Sequence, residues 1–302
     1  MTETGATGAR WAGRRDEAEK KRAAARLSVL AAAFLIALKG ATGWTTGSIS
    51  VWASLLDSAM DIFASSINYF AVRAAARPPD DDHLYGHGKA ESLAGLFQAA
   101  VICASGLYLI GEALSRLVTP RATEREMLGV ATMLVAAAVS LLLVMRLRAV
   151  ARATDSPALS ADAVHYATDV YTNAAALAAL LVVGLTGWWR ADPLISIGIS
   201  AFIIWSAVSV ARDSIDVLMD RRLPEEVDRQ VEAVVGRFRG EGVLGFHDLR
   251  TRRSGSLKFI DLHLEVRRDM SLQEGHDLSV RVLRTIEAEI PRSRVQIHTD
   301  PV

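Results

Sequence analysis

Long apolar runs, separated by short polar segments, dominate the first two thirds of the chain. The runs cover residues 27–44, 49–72, 92–118, 127–145, 160–189 and 193–211. A helix needs about 20 residues to cross the hydrocarbon core of a bilayer. The runs are of about this length or longer, so the pattern predicts an all-α domain of six transmembrane helices.

The pattern changes after Asp220, where apolar residues recur at shorter intervals. After Pro224, apolar residues recur with the spacing of one face of a helix. Residues 257–266 alternate between polar and apolar as in a half-buried strand. The further predicted elements are strands at 246–252 and 294–298 and a helix at 271–290. The resulting order, αββαβ, predicts a cytoplasmic α+β domain of ferredoxin-like type.

Basic residues at the ends of the runs predict the orientation in the membrane. Lys and Arg are concentrated in the N-terminal tail, in every second loop and after the sixth run, and such residues favour the cytoplasmic side. We therefore expect a multi-pass protein of the cell (inner) membrane with both termini in the cytosol. Its parts are a basic cytosolic tail at 1–26, without the apolar core of a signal peptide, a transmembrane domain at 27–212 and a cytoplasmic domain at 213–302.

Composition agrees with this division and limits the function. Of the 302 residues, 51% are hydrophobic and 23% are charged, and the mean hydropathy is +0.22, as in a membrane protein with a soluble part. The net charge is zero, so no basic excess indicates a nucleic-acid partner. The sequence has one cysteine, Cys103, and any metal site must therefore use His, Asp and Glu.

Two pairs of ionisable residues lie inside the apolar runs. Asp57 and Asp61 are four residues apart in the second run, and His165 and Asp169 have the same spacing in the fifth, where Asp162 precedes them. Residues at this spacing share one helical face, and ionisable groups at membrane depth usually mark an ion path. Helix-end groups or a buried structural pair are the alternative. Three carboxylates and one imidazole make a tetrahedral set that suits a divalent cation such as Zn²⁺.

Metal binding at such a set is linked to protons. Ligands must be deprotonated to bind a metal, and crowded carboxylates raise one another's proton affinity. An arriving cation should therefore displace protons, which is the physical basis of an antiporter working across the lipid bilayer.

Two more groups of potential ligands lie outside the apolar runs. The loop after the second run carries Asp80, His83 and His87, for which a solvated acidic loop is the alternative reading. The C-terminal module carries His247, His263, His276, His298 and Asp300. All seven histidines of the chain fall in these groups or in the fifth run, a distribution that favours metal binding throughout.

On these residues the chain resembles the cation diffusion facilitators. The resemblance rests on the paired motifs Asp57-x-x-x-Asp61 and His165-x-x-x-Asp169, on the loop from Asp80 to Glu91, which reads Asp-Asp-x-His-x-x-Gly-His-Gly-Lys-x-Glu, and on His298-x-Asp300. It implies a homodimeric metal exporter with six transmembrane helices followed by a ferredoxin-like cytoplasmic domain.

The resemblance also assigns roles to residues. It implies a transport site at Asp57, Asp61, His165 and Asp169, and a loop site at Asp80, His83 and His87. It further implies a cytoplasmic binuclear site at His247, His263, His276, His298 and Asp300, where the carboxylate bridges two metals that help to hold the dimer. Lys89 and Asp220 resemble a charged pair that interlocks the membrane helices.

We therefore expect a proton-coupled antiporter that exports a divalent transition metal from the cytosol, with Zn²⁺ favoured as substrate and as bound structural or regulatory ion. Asp57, the first of the four ligands, is a carboxylate and does not select strictly for Zn²⁺, so Fe²⁺, Cd²⁺, Mn²⁺ and Co²⁺ stay open as substrates. A channel or sensor without proton exchange is the other alternative. A membrane metalloenzyme is disfavoured because no His-Glu-x-x-His occurs and a four-ligand site leaves no position for a catalytic water.

Overall fold

The computed structural model of the chain describes residues 3–46, 49–119 and 127–302. The chain forms two compact units, which divide between Ile215 and Asp216. The first unit is helical, and the second combines helices with a small sheet.

Within the described residues, six long helices account for the six apolar runs. They are α1 (Glu3–Thr46), α2 (Ile49–Ala75), α3 (Ala90–Val118), α4 (Met127–Thr154), α5 (Pro157–Thr186) and α6 (Ala191–Leu218). Three of them, α1, α4 and α6, extend beyond the apolar run by more than a turn. Residues 3–26, interpreted from sequence as a tail, continue α1 as helix, because this segment is rich in Ala, Glu, Lys and Arg, which favour helix.

Five of these helices are long and apolar enough to cross a membrane, judged over the described ranges. The candidate spans are Asp16–Thr42, Ala90–Val118, Leu134–Thr154, Pro157–Thr186 and Ala191–Leu218. Helix α2, which carries Asp57 and Asp61 within its apolar run, is not one of them. The apolar helices are those of a membrane protein, and a membrane span formed by α2 stays a prediction.

Small residues let α3 and α6 approach closely. A Cβ added to Gly95 would lie 2.7 Å from Ser214 Oγ, and one added to Gly106 would lie 2.6 Å from Ile204 Cγ1. Side chains larger than hydrogen would therefore push the two helices apart, in keeping with small residues at helix contacts in membranes. Ile102, which lies between the two glycines on α3, is buried.

The second unit has the element order that the sequence predicts. It contains α7 (Glu225–Gly236), β1 (Val243–Ser254), β2 (Leu257–Val266), α8 (Leu272–Glu289) and β3 (Ser293–Pro301), with a short 3₁₀ turn at Arg239–Glu241. In the sheet order β1-β2-β3, β1 and β2 are antiparallel. Strands β2 and β3 are parallel. Gly255 forms the hairpin turn with a φ of 59°, a left-handed conformation that favours glycine.

One face of the sheet packs against the helices and the other is open. Ile260, Leu262 and Leu264 of β2 are at most 1% exposed and form the core with apolar residues of α7 and α8. Asp261, His263 and Glu265, at three of the alternate positions, are only partly buried. Because successive side chains of a strand point to opposite faces, the predicted histidine ligands lie on the face away from this core.

Candidate metal sites

The membrane site is built by α2 and α5, and two of its predicted ligands are in contact. His165 Nε2 lies 3.0 Å from Asp61 Oδ1, and the residues are 7% and 5% exposed. Asp169 lies one turn further along α5 and is partly buried. The side chain of Asp57 lies outside the described part of the structure. The contact joins an imidazole of α5 to a carboxylate of α2 between buried helix faces.

A buried polar network continues from this site along α5. Ser28 of α1 donates a hydrogen bond to Asp162 Oδ2 at 2.6 Å, and Asp162 is fully buried. The Tyr166 hydroxyl lies 2.8 Å from Ser65 Oγ of α2 and donates to the Ser28 carbonyl at 3.1 Å. These contacts connect α1, α2 and α5 next to the membrane site, because Tyr166 directly follows His165.

Lys39 of α1 also reaches this region, and sequence reasoning missed it. Its Nζ lies 2.7 Å from Ser58 Oγ of α2. It is the one charged residue between Leu27 and Thr46. A single charged residue in an apolar run was the signal that could have identified Lys39, since an intramembrane lysine is a functional candidate by default.

The three predicted ligands of the loop lie close together. Asp80 Oδ1 lies 3.2 Å from His83 Nδ1, and Asp80 Oδ2 lies 3.2 Å from His87 Nε2. The ring centroids of the two histidines are 4.5 Å apart. Gly86, between them, has a φ of 81°, so a glycine is favoured where the loop returns toward Asp80.

The donor set of this loop fits a divalent metal ion. One ligand atom from each of Asp80, His83 and His87 lies within 4.8 Å of the others. His87 Nδ1 is buried without a hydrogen-bond partner in the described chain. Partial desolvation raises the pKa of Asp80, but hydrogen bonds from His83 and the nearby imidazole charges outweigh it and hold the pKa below its usual value. The carboxylate therefore stays ionised for binding.

The cytoplasmic cluster is centred on Asp300 of β3. The sheet register aligns His247 with His263, and His263 with His298, across the three strands. Asp300 Oδ2 lies 2.9 Å from His263 Nδ1 and 3.5 Å from His247 Nε2. Asp300 Oδ1 lies 3.3 Å from His298 Nε2. Each oxygen of this carboxylate thus contacts imidazole, which suits it to hold metal on both sides.

Electrostatics keeps Asp300 ionised, and a neighbouring carboxylate orients one histidine. The hydrogen bond from His263 holds the pKa of Asp300 below its usual value against partial desolvation, with the imidazole charges adding to the effect. His247 Nδ1 lies 3.1 Å from Glu265 Oε1. The site predicted from the sequence does not include Glu265. Its position two residues from His263 in an alternating strand was the available signal.

Three predicted residues take positions outside these contacts. His276 lies at an exposed position of α8 and is not part of the group His247, His263 and Asp300. Lys89 precedes α3 in the first unit. Asp220 belongs to the second unit, where Arg252 Nη1 lies 3.5 Å from its Oδ1. The role of His276 as a ligand and the pairing of Lys89 with Asp220 stay predictions.

Comparison with known proteins covers nearly the whole chain. Residues 25–219 match the cation efflux transmembrane domain, and residues 223–302 match the cation efflux protein, cytoplasmic domain. The cation-efflux pump FieF of Citrobacter koseri is 40% identical over 280 residues, which is 92% of each chain. The FieF pump of Yersinia pestis (strain Pestoides F) is 40% identical over 93% of this chain and 92% of its own.

A solved structure of CzrB in a zinc form is also similar in sequence. It is 38% identical to this chain and covers 27% of it and 92% of the CzrB chain, with a TM-score of 0.26.

Proposed function

The chain belongs to the cation diffusion facilitators, which are cation efflux transporters and not enzymes, and on this premise we propose that it exports Zn²⁺ from the cytosol in exchange for protons. The FieF relatives are named as cation-efflux pumps, and the CzrB structure is described in a zinc form. Export of divalent metal follows from the family. Zinc as the preferred cation and the proton exchange are the steps that we add.

One contact carries the proposal, the 3.0 Å approach of His165 Nε2 to Asp61 Oδ1. In the absence of metal, a proton shared between these atoms satisfies both groups in a buried position. Zn²⁺ requires an unprotonated imidazole nitrogen and an ionised carboxylate. The same two atoms therefore hold either a proton or the metal, and exchange of one for the other couples the two fluxes. Asp57 and Asp169 complete the proposed four-ligand transport site.

Alternating access then requires the arrangement that the family resemblance implies. We propose that α2 also crosses the membrane, which gives six transmembrane helices in total. We further propose that the second unit is ferredoxin-like and that two chains form a homodimer. Both termini face the cytosol from the inner membrane in this proposal, with the transmembrane domain at 27–212 and the cytoplasmic domain at 213–302. Rocking of the helices around the site would expose it to each side in turn.

The two outer clusters are proposed as accessory metal sites. The loop site at Asp80, His83 and His87 lies next to α3 and would hold one ion. The cytoplasmic site would hold structural or regulatory Zn²⁺ around Asp300, whose two oxygens contact His263 and His298. His276 is included as a ligand that a partner or a metal would bring into the group.

Zinc entry into proteoliposomes with a trapped pH dye tests the transport site. We expect Zn²⁺ entry to be accompanied by proton loss from the lumen in the intact chain. His165→Ala, Asp61→Ala and Asp57→Ala should abolish both fluxes. Asp82→Ala, which changes an exposed aspartate of the loop, serves as the matched control and should transport normally.

Other outcomes of this experiment would favour one of the alternative functions or substrates. Metal entry without proton movement would make the protein a channel or uniporter, and survival of transport in all three variants would place the site elsewhere. A parallel series with Fe²⁺, Cd²⁺, Mn²⁺ and Co²⁺ ranks the substrates. A higher kcat/KM for any of these than for Zn²⁺ would overturn the zinc assignment and leave the antiport mechanism intact.

A further inference from the structure

Lys39 places a fixed positive charge beside the helix that carries the transport-site aspartates. It lies within the candidate span Asp16–Thr42, and its ammonium is 2.7 Å from the Ser58 hydroxyl. Ser58 is completely buried. Ammonium groups at membrane depth are costly and persist where a partner or a function holds them.

The ammonium is directed toward the face of α2 that holds Asp61. Ser58 and Asp61 are three residues apart, a spacing that makes them neighbours on one helical face with about 5–6 Å between Cβ atoms. Both residues are buried, and Asp61 contacts His165. The positive charge of Lys39 therefore lies at the edge of the proposed metal site, one helical turn from a ligand.

A protonated lysine in this place cannot coordinate a metal, because it has three donors and no acceptor. It can offset the charge of the aspartates when no metal is present, and it repels a divalent cation that enters. Both effects lower the affinity of the site. A transporter needs such a limit, since a four-ligand site that binds Zn²⁺ too tightly releases it slowly.

We propose that Lys39 is a tethered cation that competes with the transported metal for the charge of the transport site and so speeds metal release. This inference rests on the proposed function. Lys39 does not touch the metal in this scheme. It is a positioning residue that acts through the electrostatics of α2, with the Ser58 hydroxyl holding its ammonium in place.

Zinc transport kinetics of Lys39→Met and Lys39→Arg in proteoliposomes test the proposal. Removing a unit charge at this range in a partly polar site should lower the KM for Zn²⁺ by about tenfold or more. It should lower kcat by a similar factor, because the metal-bound state becomes more stable and releases Zn²⁺ more slowly. Lys39→Arg retains the charge and should keep both parameters within about threefold of the intact chain, a rescue that a packing role would not give.

Specific outcomes would overturn the proposal. An unchanged or raised KM in Lys39→Met excludes competition with the metal. Loss of function in Lys39→Arg equal to that in Lys39→Met would show a role of shape and not of charge. If Lys39→Met is not recovered as monodisperse protein, Ser58→Ala replaces it. That variant removes the contact of the ammonium with the Ser58 hydroxyl, and an unchanged KM and kcat in it would contradict the proposal.

Asp61→Ala, measured in the same series, separates this inference from the proposed function. Normal transport by Asp61→Ala would show that Asp61 is not a ligand of the transport site and would refute the proposed function. Loss of transport in Asp61→Ala together with unchanged kinetics in Lys39→Met would leave the site in place and refute only the role of Lys39.

Discussion

Lys21 of α1 and Glu91 of α3 form a buried ion pair. Lys21 Nζ lies 2.7 Å from Glu91 Oε1, and the side chains are 8% and 3% exposed. Ser156, which caps α5, donates a hydrogen bond to the other oxygen of Glu91. One carboxylate therefore connects α1 with the N-terminal ends of α3 and α5. Glu91 follows shortly after the loop that carries His83 and His87.

Removal of one partner of this pair should destabilise the protein strongly. Lys21→Met leaves the Glu91 charge buried without its counter-ion, a change that typically costs about 3–5 kcal/mol. The double variant Lys21→Met with Glu91→Gln removes both charges and keeps an acceptor for Ser156, so it should be clearly more stable than Lys21→Met alone. Thermal unfolding in detergent measures both. Equal losses in the single and double variants would argue against a buried charge effect.

The hydroxyl of Tyr166 should contribute to stability through its contact with α2. Tyr166→Phe removes the partner of Ser65 Oγ, which lies 2.8 Å away, and an unsatisfied buried polar group costs about 1–3 kcal/mol. Ser65→Ala with Tyr166→Phe should cost less than the sum of the single changes. A double-mutant cycle by thermal unfolding gives this coupling. Strict additivity would show that the two hydroxyls do not interact.

The loop site should bind metal without carrying the flux. His83→Ala and His87→Ala each remove one of three ligands that approach one another closely, so each should lower the bound zinc by about one ion per chain. Zinc-driven proton movement should persist, because the proposed transport site is unchanged. Elemental analysis of purified protein and the proteoliposome assay measure the two quantities. Loss of antiport in both variants would place the loop on the transport path.

Sequence patterns predicted most of the fold because the decisive signals were local. Apolar runs located α1 to α6, and the alternation in β2 located the sheet face that carries His263. The predicted helix at 271–290 corresponds to α8, whose N-cap is Ser271. Histidines 247, 263 and 298 could be assigned to one cluster because each lies on a predicted strand.

The contacts that sequence reasoning missed depend on partners far along the chain. Lys21 was interpreted as part of a basic cytosolic tail, and its partner Glu91 is 70 residues away. Lys39 pairs with Ser58 only through the packing of α1 on α2. The register that brings Glu265 opposite Asp300 is a tertiary result as well. Local spacing predicts which residues share a helix face or a strand face, but it does not predict which faces meet.

Glu265 should tune the cytoplasmic site through His247. A carboxylate that contacts the far nitrogen of a metal-binding histidine fixes its orientation and raises its basicity, and loss of such a partner typically weakens metal affinity by about 10–100-fold. We expect Glu265→Gln to show this loss in chelator-competition titrations with Zn²⁺. Asp261→Asn, on the same face of β2 but away from His247, is the matched control. Equal affinities in the two variants would remove Glu265 from the site.

The capping box of α8 should make the stability of the second unit depend on pH. Glu274 accepts hydrogen bonds from the Ser271 backbone N–H and hydroxyl. These bonds hold the pKa of Glu274 below its ordinary value of 4.5, with partial desolvation opposing them and the charge of Arg267 adding to them. A carboxyl group whose pKa is lower in the folded state stabilises that state above the unfolded pKa. The contribution is lost as the pH falls through the folded pKa.

Glu274→Gln should therefore speed amide hydrogen exchange in residues 272–289 relative to the intact chain at pH 7. The difference should shrink as the pH falls below 4.5, because protonation removes the carboxylate from the intact chain as well. Hydrogen exchange measured by mass spectrometry at matched pH tests this, since intrinsic exchange rates cancel between the two proteins. Glu287→Gln, on the same helix but outside the cap, is the control. A difference that stays constant from pH 7 to pH 3 would show that the side chain acts through its shape and not through its charge.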